Sequence, residues 1–341
     1  MNNRKNRLTN KGSILLIVLW SLFLLSMLAV AINMYIGPQL NITGKLIRRT
    51  QMLWLAKAGM KRAILELKND ETQSYDALSD SWNDNGGAFM MVTAGAGTFS
   101  VVKNRFHAGP GSGNQYGLVD EERKININKA TYDVLKNLFE TVAETISQDA
   151  EEIADSIIDW RDEDDEARDN GAEDGYYSMR VPGYRCKNGD FIILEELLLV
   201  KGVTPEIFDK VRERVTVYGA GAVNINTADE IVLRVLGMDE ELSGKFMDFR
   251  AGNYEIEGDE EPGEGVFENT ESIATTLAEA IKLSNDEVTQ LARIFAAGVF
   301  TVRSDNFTGC SVGQVAERSD SVCVRFMFDR KEQLMKHWRE S

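Results

Sequence analysis

The strongest constraint on this chain lies at its start: between Gly12 and Gly44 there is no charged side chain. Within that stretch, Ser13 to Ile36 reads SILLIVLWSLFLLSMLAVAINMYI, long enough to cross a bilayer as a helix. The leader MNNRKNRLTNKG before it carries Arg4, Lys5, Arg7 and Lys11 and no acidic residue. Such charges hold an N-terminus in the cytoplasm, so the remainder is expected to be exported. Three processing routes fit: a cleaved signal peptide, an uncleaved anchor, and an anchor trimmed on its cytoplasmic side. A signal peptide needs a shorter apolar region followed by a small-x-small site. Leu28-Ala29-Val30-Ala31 can be forced into that role, but the apolar run continues to Ile36.

Beyond the membrane, residues 38–68 place apolar side chains at helical spacing: Leu46, Met52 or Leu53, Ala56, Met60, Ile64 and Leu67. Gly37-Pro38 predicts a kink rather than a stop. Residues 13–68 together predict a rod of roughly 80 Å at 1.5 Å per residue. A turn follows at Asn83-Asp84-Asn85-Gly86-Gly87, then strand candidates at Gly97–Val102 and Gln115–Val119, with a His107–Gly113 loop between them. Strand character returns at Val299–Arg303 and Ser321–Phe328, which predict a C-terminal hairpin. The chain between, from about Asn128 to Ala297, reads as helical. The expected fold class is α+β, a long N-terminal helix and a small antiparallel sheet interrupted by a large helical insertion. The expected divisions are a leader 1–12, a membrane and assembly helix 13–36, a sheet domain 37–123 resumed at 299–341, and an inserted domain 124–298. Insertion at a loop tip is physically cheap because its ends stay close.

The insertion contains an internal repeat. Lys124-Ile-Asn-Ile-Asn-Lys-Ala130 opens one unit and Ala222-Val-Asn-Ile-Asn-Thr-Ala228 another. Each precedes an amphipathic helix, Tyr132–Phe139 and Ile231–Leu236. Asn128 and Asn226 read as N-caps, Asp133 and Asp229 as first-turn acids, and Gly237 as the second helix's stop. The Asn-Ile-Asn-x-Ala phrase resembles helix-hairpin-helix and SAM-like domains, as does Glu195–Val211. DNA-binding members of that class need basic surroundings. This chain has 38 Lys+Arg against 54 Asp+Glu, a net charge of -16. A structural or protein-contact role is the better expectation.

Residues 159–174, DWRDEDDEARDNGAED, hold nine acidic and two basic side chains. Either a solvated loop or a cation site explains such density. Asn170-Gly171 supplies a turn, Trp160 and Tyr176-Tyr177 bracket the loop, and all its donors are oxygens, which suits Ca²⁺. The spacing is not that of an EF-hand. A second acidic run, Glu255–Glu268, reads as an exposed loop. Only two histidines, His107 and His337, are present, so a multi-histidine centre is excluded. No phosphate-binding Walker loop, Gly-x-Ser-x-Gly elbow or His-Glu-x-x-His occurs, and no catalytic residue is assigned. Cys310 and Cys323 fit either a disulfide across the C-terminal turn or two thiols. Export favours the bridge, with Cys186 left free.

The Lys11-Gly12 end of the leader and the abrupt apolar start at Ser13 resemble the class 3 signal of type IV pilins and type II secretion pseudopilins. In those families a prepilin peptidase cuts after the glycine and the helix stays on as the assembly element. Cleavage between Gly12 and Ser13 would take the net charge from -16 to -20. The chain departs from most members at the fifth mature position, Ile17, where they carry Glu. The exception to that rule is type II secretion protein K. This chain also resembles that family in Asp159-Trp160-Arg161-Asp162-Glu163-Asp164 and Gly171-Ala172-Glu173-Asp174-Gly175-Tyr176-Tyr177, with Ala167 where a proline often precedes the Arg.

The resemblance covers nearly the whole chain. It implies a non-enzymatic minor pseudopilin with a methylated, processed N-terminus, held in the inner membrane by one span with its bulk in the periplasm. It implies structural calcium on ligands drawn from Asp162, Asp164, Asp165, Asp169, Glu173 and Asp174. The implied partners are other minor pseudopilins, the inner-membrane assembly platform, the prepilin peptidase, and the outer-membrane secretin or cargo, with no nucleic acid. The competing readings are a minor pilin of a type IV pilus and a membrane-stalked helix-hairpin-helix DNA receptor.

Overall fold

The computed structural model describes residues 11–103, 115–254, 265–281, 283–315 and 320–340. His107 and most of the second acidic run lie outside these residues. Helix α1, Lys11–Lys68, is unbroken through Gly37-Pro38. Its Ser13–Tyr35 portion is long and apolar enough to span a membrane and buries no side chain within the chain. Further along, Ala56, Ala63 and Leu67 are buried. One half of the helix thus faces its surroundings and the other half serves as a spine.

After α1 come the short helix α2, Gly86–Phe89, and strands β1, Val92–Ala94, β2, Gly97–Val102, and β3, Val119–Asp120. Strand β4, Ile125–Asn126, opens the helical region of α3, Tyr132–Thr141, α4, Ser147–Arg161, and α5, Asp174–Tyr177. A 3₁₀ turn at Leu194–Leu199, helix α6, Pro205–Val211, and strand β5, Val215–Thr216, complete the first half. The second half is β6, Val223–Asn224, α7, Glu230–Val235, α8, Glu240–Arg250, α9, Ile273–Ala280, α10, Asn285–Ala296, and β7, Phe300–Thr301. The chain closes with β8, Asn306–Val315, β9, Ser321–Asp329, and β10, Leu334–Glu340.

The main sheet runs β1-β2-β8-β9-β10, with β3 also on β8, and every pairing is antiparallel. Strands from both flanks of the helical region therefore share one sheet. Two hydrophobic cores match this division. One joins Ala63 and Leu67 of α1 to Phe99, Phe307 and Phe326. The other lies among the helices, around Leu138, Ile157, Trp160, Leu233 and Phe246.

The predicted hairpin of Val299–Arg303 with Ser321–Phe328 is incorrect. Phe300-Thr301 pairs in parallel with Val223-Asn224, while β9 pairs with β8. Strand β8 was hidden because its glycines and polar residues break the apolar pattern. A β-carbon on Gly313 would lie 2.0 Å from the Met52 carbonyl oxygen of α1, and one on Gly59 of α1 would lie 2.2 Å from Ser311 Oγ. Small residues on both elements let the helix backbone lie against the sheet. Gly313→Val should therefore separate α1 from β8, destabilising the protein by about 3 kcal/mol. A shift in the denaturant midpoint with an unchanged slope would register this. The expected strand Gln115–Val119 shortens to Val119-Asp120. Gly117 instead packs on the Asn83 carbonyl, which a β-carbon would meet at 1.4 Å.

The internal repeat is carried into three dimensions, but its asparagines are not N-caps. The caps are Thr131, 3.4 Å from Val134 N–H, and Asp229, 2.8 Å from Val232 N–H. Asn128 and Asn226 turn inward instead. The Asn128 amide accepts from Phe191 N–H at 2.7 Å and donates to its carbonyl at 3.0 Å. Asn226 does the same to Phe267, both at 2.9 Å. Arg161 and Arg250, ending α4 and α8, donate to the carbonyls of Ile127 and Ala228. Each half thus pairs an opening strand with its closing strand in parallel, Ile125 with Val215 and Val223 with Phe300. Buried backbone groups need partners. Asn226→Ala would strand both polar groups of Phe267 and should cost about 1–3 kcal/mol, read as a lowered denaturation midpoint.

Candidate metal centre

The C-terminal turns of α4 organise the acidic loop. Asp155, Asp159 and Trp160 are buried, at 5 %, 0 % and 3 % exposure. Asp159 accepts from Ala172 N–H at 2.8 Å and from Arg168 N–H at 3.2 Å, so one carboxylate draws two distant parts of the loop together. A β-carbon at Gly171 would lie 1.8 Å from Asp159 Oδ2, which explains the glycine there. Asp155 pairs with Arg168 Nε at 2.9 Å and accepts from both nitrogens of Asn170. Trp160 packs edge-on against Tyr177 at 5.1 Å, and Tyr184 and Phe191 complete the aromatic floor.

On this frame Asp162, Asp164 and Glu173 each bring an oxygen to within 4.8 Å of the others. Glu173 is only 6 % exposed, and both of its carboxylate oxygens are buried without a hydrogen-bond partner, as is Asp162 Oδ1. Burial, against the pull of the Cys186 thiol and aided by the charges of Asp159, Asp162 and Asp165, pushes the Glu173 carboxyl up to about 7. Burial and Asp164 raise Asp162 as well, and burial pushes Asp159 up to about 6. Carboxylates arranged in this way repel one another, and a cation placed among them relieves the repulsion.

The remaining expected ligands have other positions. Asp165 accepts from Asn188 Nδ2 at 2.9 Å, and Asp174 from Cys186 N–H at 2.6 Å. Asp169 is exposed. Sequence reading missed Asn188, whose Oδ1 is buried and unpartnered while its Nδ2 holds the Asp164 carbonyl at 3.0 Å. The one available signal was Asn188-Gly189, which reads as an ordinary turn. Cys186, the free thiol, is pushed up to about 12 by burial, with Glu173 adding to the effect. It therefore stays protonated beside the acidic group. Cys310 and Cys323 are bonded to each other across β8 and β9, with Cα atoms 6.2 Å apart.

Sequence reading also missed a second carboxylate cluster, Asp70, Asp76 and Asp80. Arg330 already occupies it, binding Asp76 through both terminal nitrogens at 2.8 and 2.6 Å. Thr72 and Trp82 supply donors to Asp80 at 3.3 and 3.1 Å. A guanidinium therefore stands where an ion would otherwise sit.

Together these features define a chain with a membrane-length helix, a helix-backed antiparallel sheet and a helical body carrying an acidic centre. Residues 114–220 match the family model for the first domain of type II secretion system protein K. The chain is 24 % identical over 240 residues to a putative type II secretion system protein K of Escherichia coli K12, spanning 66 % of each protein. It is 26 % identical over 228 residues to type II secretion system protein K of Pectobacterium carotovorum subsp. carotovorum, spanning 66 % of this chain and 68 % of that protein. Its fold matches a chain in the crystal structure of the GspK-GspI-GspJ complex of the enterotoxigenic Escherichia coli type 2 secretion system. The TM-score is 0.64 at 18 % identity, covering 88 % of this chain and 99 % of that one. All three comparisons bear out the resemblance to the type II secretion system protein K family.

Proposed function

We propose that this chain is a minor pseudopilin of a type II protein secretion system, capping or initiating a periplasmic pseudopilus. The observation that carries the reading is the joint match of sequence and fold to protein K over most of the chain. The alternatives, a type IV minor pilin and a DNA receptor, are not favoured by those matches. The prepilin peptidase removes residues 1–12, the new N-terminus is methylated, and the Ser13–Tyr35 helix packs with like helices from the inner membrane. The head lies in the periplasm and catalyses nothing. One solved structure of similar fold belongs to a complex of GspK with GspI and GspJ, so the expected partners are the corresponding minor pseudopilins. The assembly platform and the secretin or cargo meet the same subunit at later stages. Ile17 leaves the helix without a carboxylate at the fifth mature position. This suits a subunit with no neighbour's amino terminus to neutralise beyond it. Co-purification tests the assembly: a tagged copy should bring down the other minor pseudopilins from a secretion-competent cell, and their absence would refute the reading.

Calcium is the structural ion of the helical body, held by Asp162, Asp164 and Glu173, with Asn188 Oδ1 as a further oxygen donor. The support is local: four buried oxygens with no partner, all of the hard type that Ca²⁺ prefers. In an exporting compartment the Cys310–Cys323 bridge staples β8 to β9.

A further inference from the structure

The helical body meets the sheet through Asp120, which ends β3, and through Glu121 and Glu122, which begin the link to β4, and all three are buried acids. Asp120, Glu121 and Glu122 are 1 %, 4 % and 7 % exposed. From the helical side, Asp120 Oδ2 accepts from Thr227 Oγ1 and from Asn224 Nδ2 at 3.2 Å. From the sheet side the same oxygen accepts from Ser304 Oγ at 2.7 Å. Glu121 accepts from Thr216 Oγ1 of β5 and Thr308 Oγ1 of β8, both at 2.7 Å. Glu122 accepts from Asn306 Nδ2 at 2.6 Å and Asn306 N–H at 3.0 Å, and its carbonyl takes Asn224 N–H at 2.8 Å. Gly219 of the helical side closes over it, leaving 2.9 Å between Glu122 Oε1 and any added β-carbon.

The charges around this junction do not balance. Asp76 is buried beside it and is matched by Arg330 at 2.6 Å. Glu121 is matched by Lys124 at 2.8 Å. Arg123 points its charge toward Lys103 and Arg250, both of which it lowers by repulsion, and among the described residues it makes no ion pair with Asp120 or Glu122. Asp305 faces Arg303 at 3.9 Å. Among the described residues, Asp120 and Glu122 meet only neutral donors, and Asp120 Oδ1 accepts the Glu122 N–H at 2.8 Å. Two adjacent buried carboxylates with no cation cannot both stay ionised at low cost, so the folded junction retains a proton.

We propose that Asp120 and Glu122 form a proton-holding latch that docks the helical body on the sheet and loosens when the surroundings turn alkaline. Burial, and then the Asp120 charge, push the Glu122 carboxyl up to about 8, and burial raises Asp120 in the same direction. A folded-state value above the unfolded one means that the folded protein binds more protons between the two. Docking is therefore fully stabilised below the ordinary glutamate range and weakens as pH rises through neutrality to about 8. Within that window, each pH step of about one weakens the docking equilibrium about tenfold.

The test uses the full-length protein in detergent micelles. Melting temperature and the rate of proteolytic nicking at the junction are followed from pH 5.5 to 9 for the wild type, Glu122→Gln and Asp120→Asn. The wild type should lose melting temperature and be nicked at least about tenfold faster at pH 9 than at pH 6. Glu122→Gln, which cannot ionise there, should keep only the slope that Glu173 and Asp120 contribute up to about pH 7 and be nearly flat above it. Parallel pH profiles for wild type and Glu122→Gln would overturn the latch. If neither variant folds, infrared spectroscopy of Glu173→Gln, which removes the other carboxyl held near neutrality, decides. A neutral carboxyl band present at pH 7 and lost by pH 9 supports the proposal, and no such band at pH 7 rejects it.

Discussion

Removing divalent cations with a chelator should lower the melting temperature of the purified protein by roughly 5–10 °C, and added Ca²⁺ should restore it. The size follows from linkage. An ion present at about 100 times its dissociation constant adds about 2.7 kcal/mol, and a helical body of this size shifts by about 2–4 °C per kcal/mol. Glu173 sharpens the test because its two roles predict opposite signs. With the ion bound it is a ligand. Without the ion it is a buried carboxylate facing Asp159, Asp162 and Asp165, with no N–H or O–H donor and only the Cys186 thiol beside it. Glu173→Gln should therefore melt at or above the chelated wild type and gain almost nothing from Ca²⁺. An unchanged wild-type melt on chelation would remove the cation from the account. The exposed Asp169→Asn should respond to Ca²⁺ as the wild type does, since among the described residues of this loop Asp162, Asp164 and Glu173 are the carboxylates that converge.

The second large effect concerns processing. Protein extracted from membranes of a cell that contains the prepilin peptidase should begin at Ser13, and intact mass should show the loss of the first twelve residues. Gly12→Leu should block that cut completely and leave Met1 in place. The effect is all or none because the peptidase acts at one peptide bond. A wild-type mass that retained the leader, or that had lost everything through Ile36, would contradict assembly through this helix. None of the Ser13–Tyr35 helix is buried inside the chain, so a cut that spared it would leave its whole apolar face open to packing with other helices.

The two tests probe different ends of one molecule and can fail separately. A calcium-dependent melt with an uncut leader would leave a metal-stabilised exported domain without a filament. A cut leader with a calcium-independent melt would leave the pseudopilin and remove its ion.

Local chemistry settled much of this protein in advance. The uncharged stretch from Gly12 to Gly44 favours a helix, because in a bilayer its backbone groups would find no other partner. The repeated Asn-Ile-Asn phrase marked two related halves, and the density of carboxylates marked the loop. Tertiary structure alone decided where those signals lead. Asn128 and Asn226 look like helix caps in sequence, but their amides bind Phe191 and Phe267, 63 and 41 residues away. No local pattern encodes a bond of that span. Strand β8 was unreadable because its glycines serve the approach of α1 rather than the strand itself. Within the acidic loop, composition cannot separate a carboxylate that anchors backbone, such as Asp159, from one left without a partner, such as Glu173. That distinction depends on which donors the fold delivers to each oxygen, and the fold delivers them from distant parts of the chain.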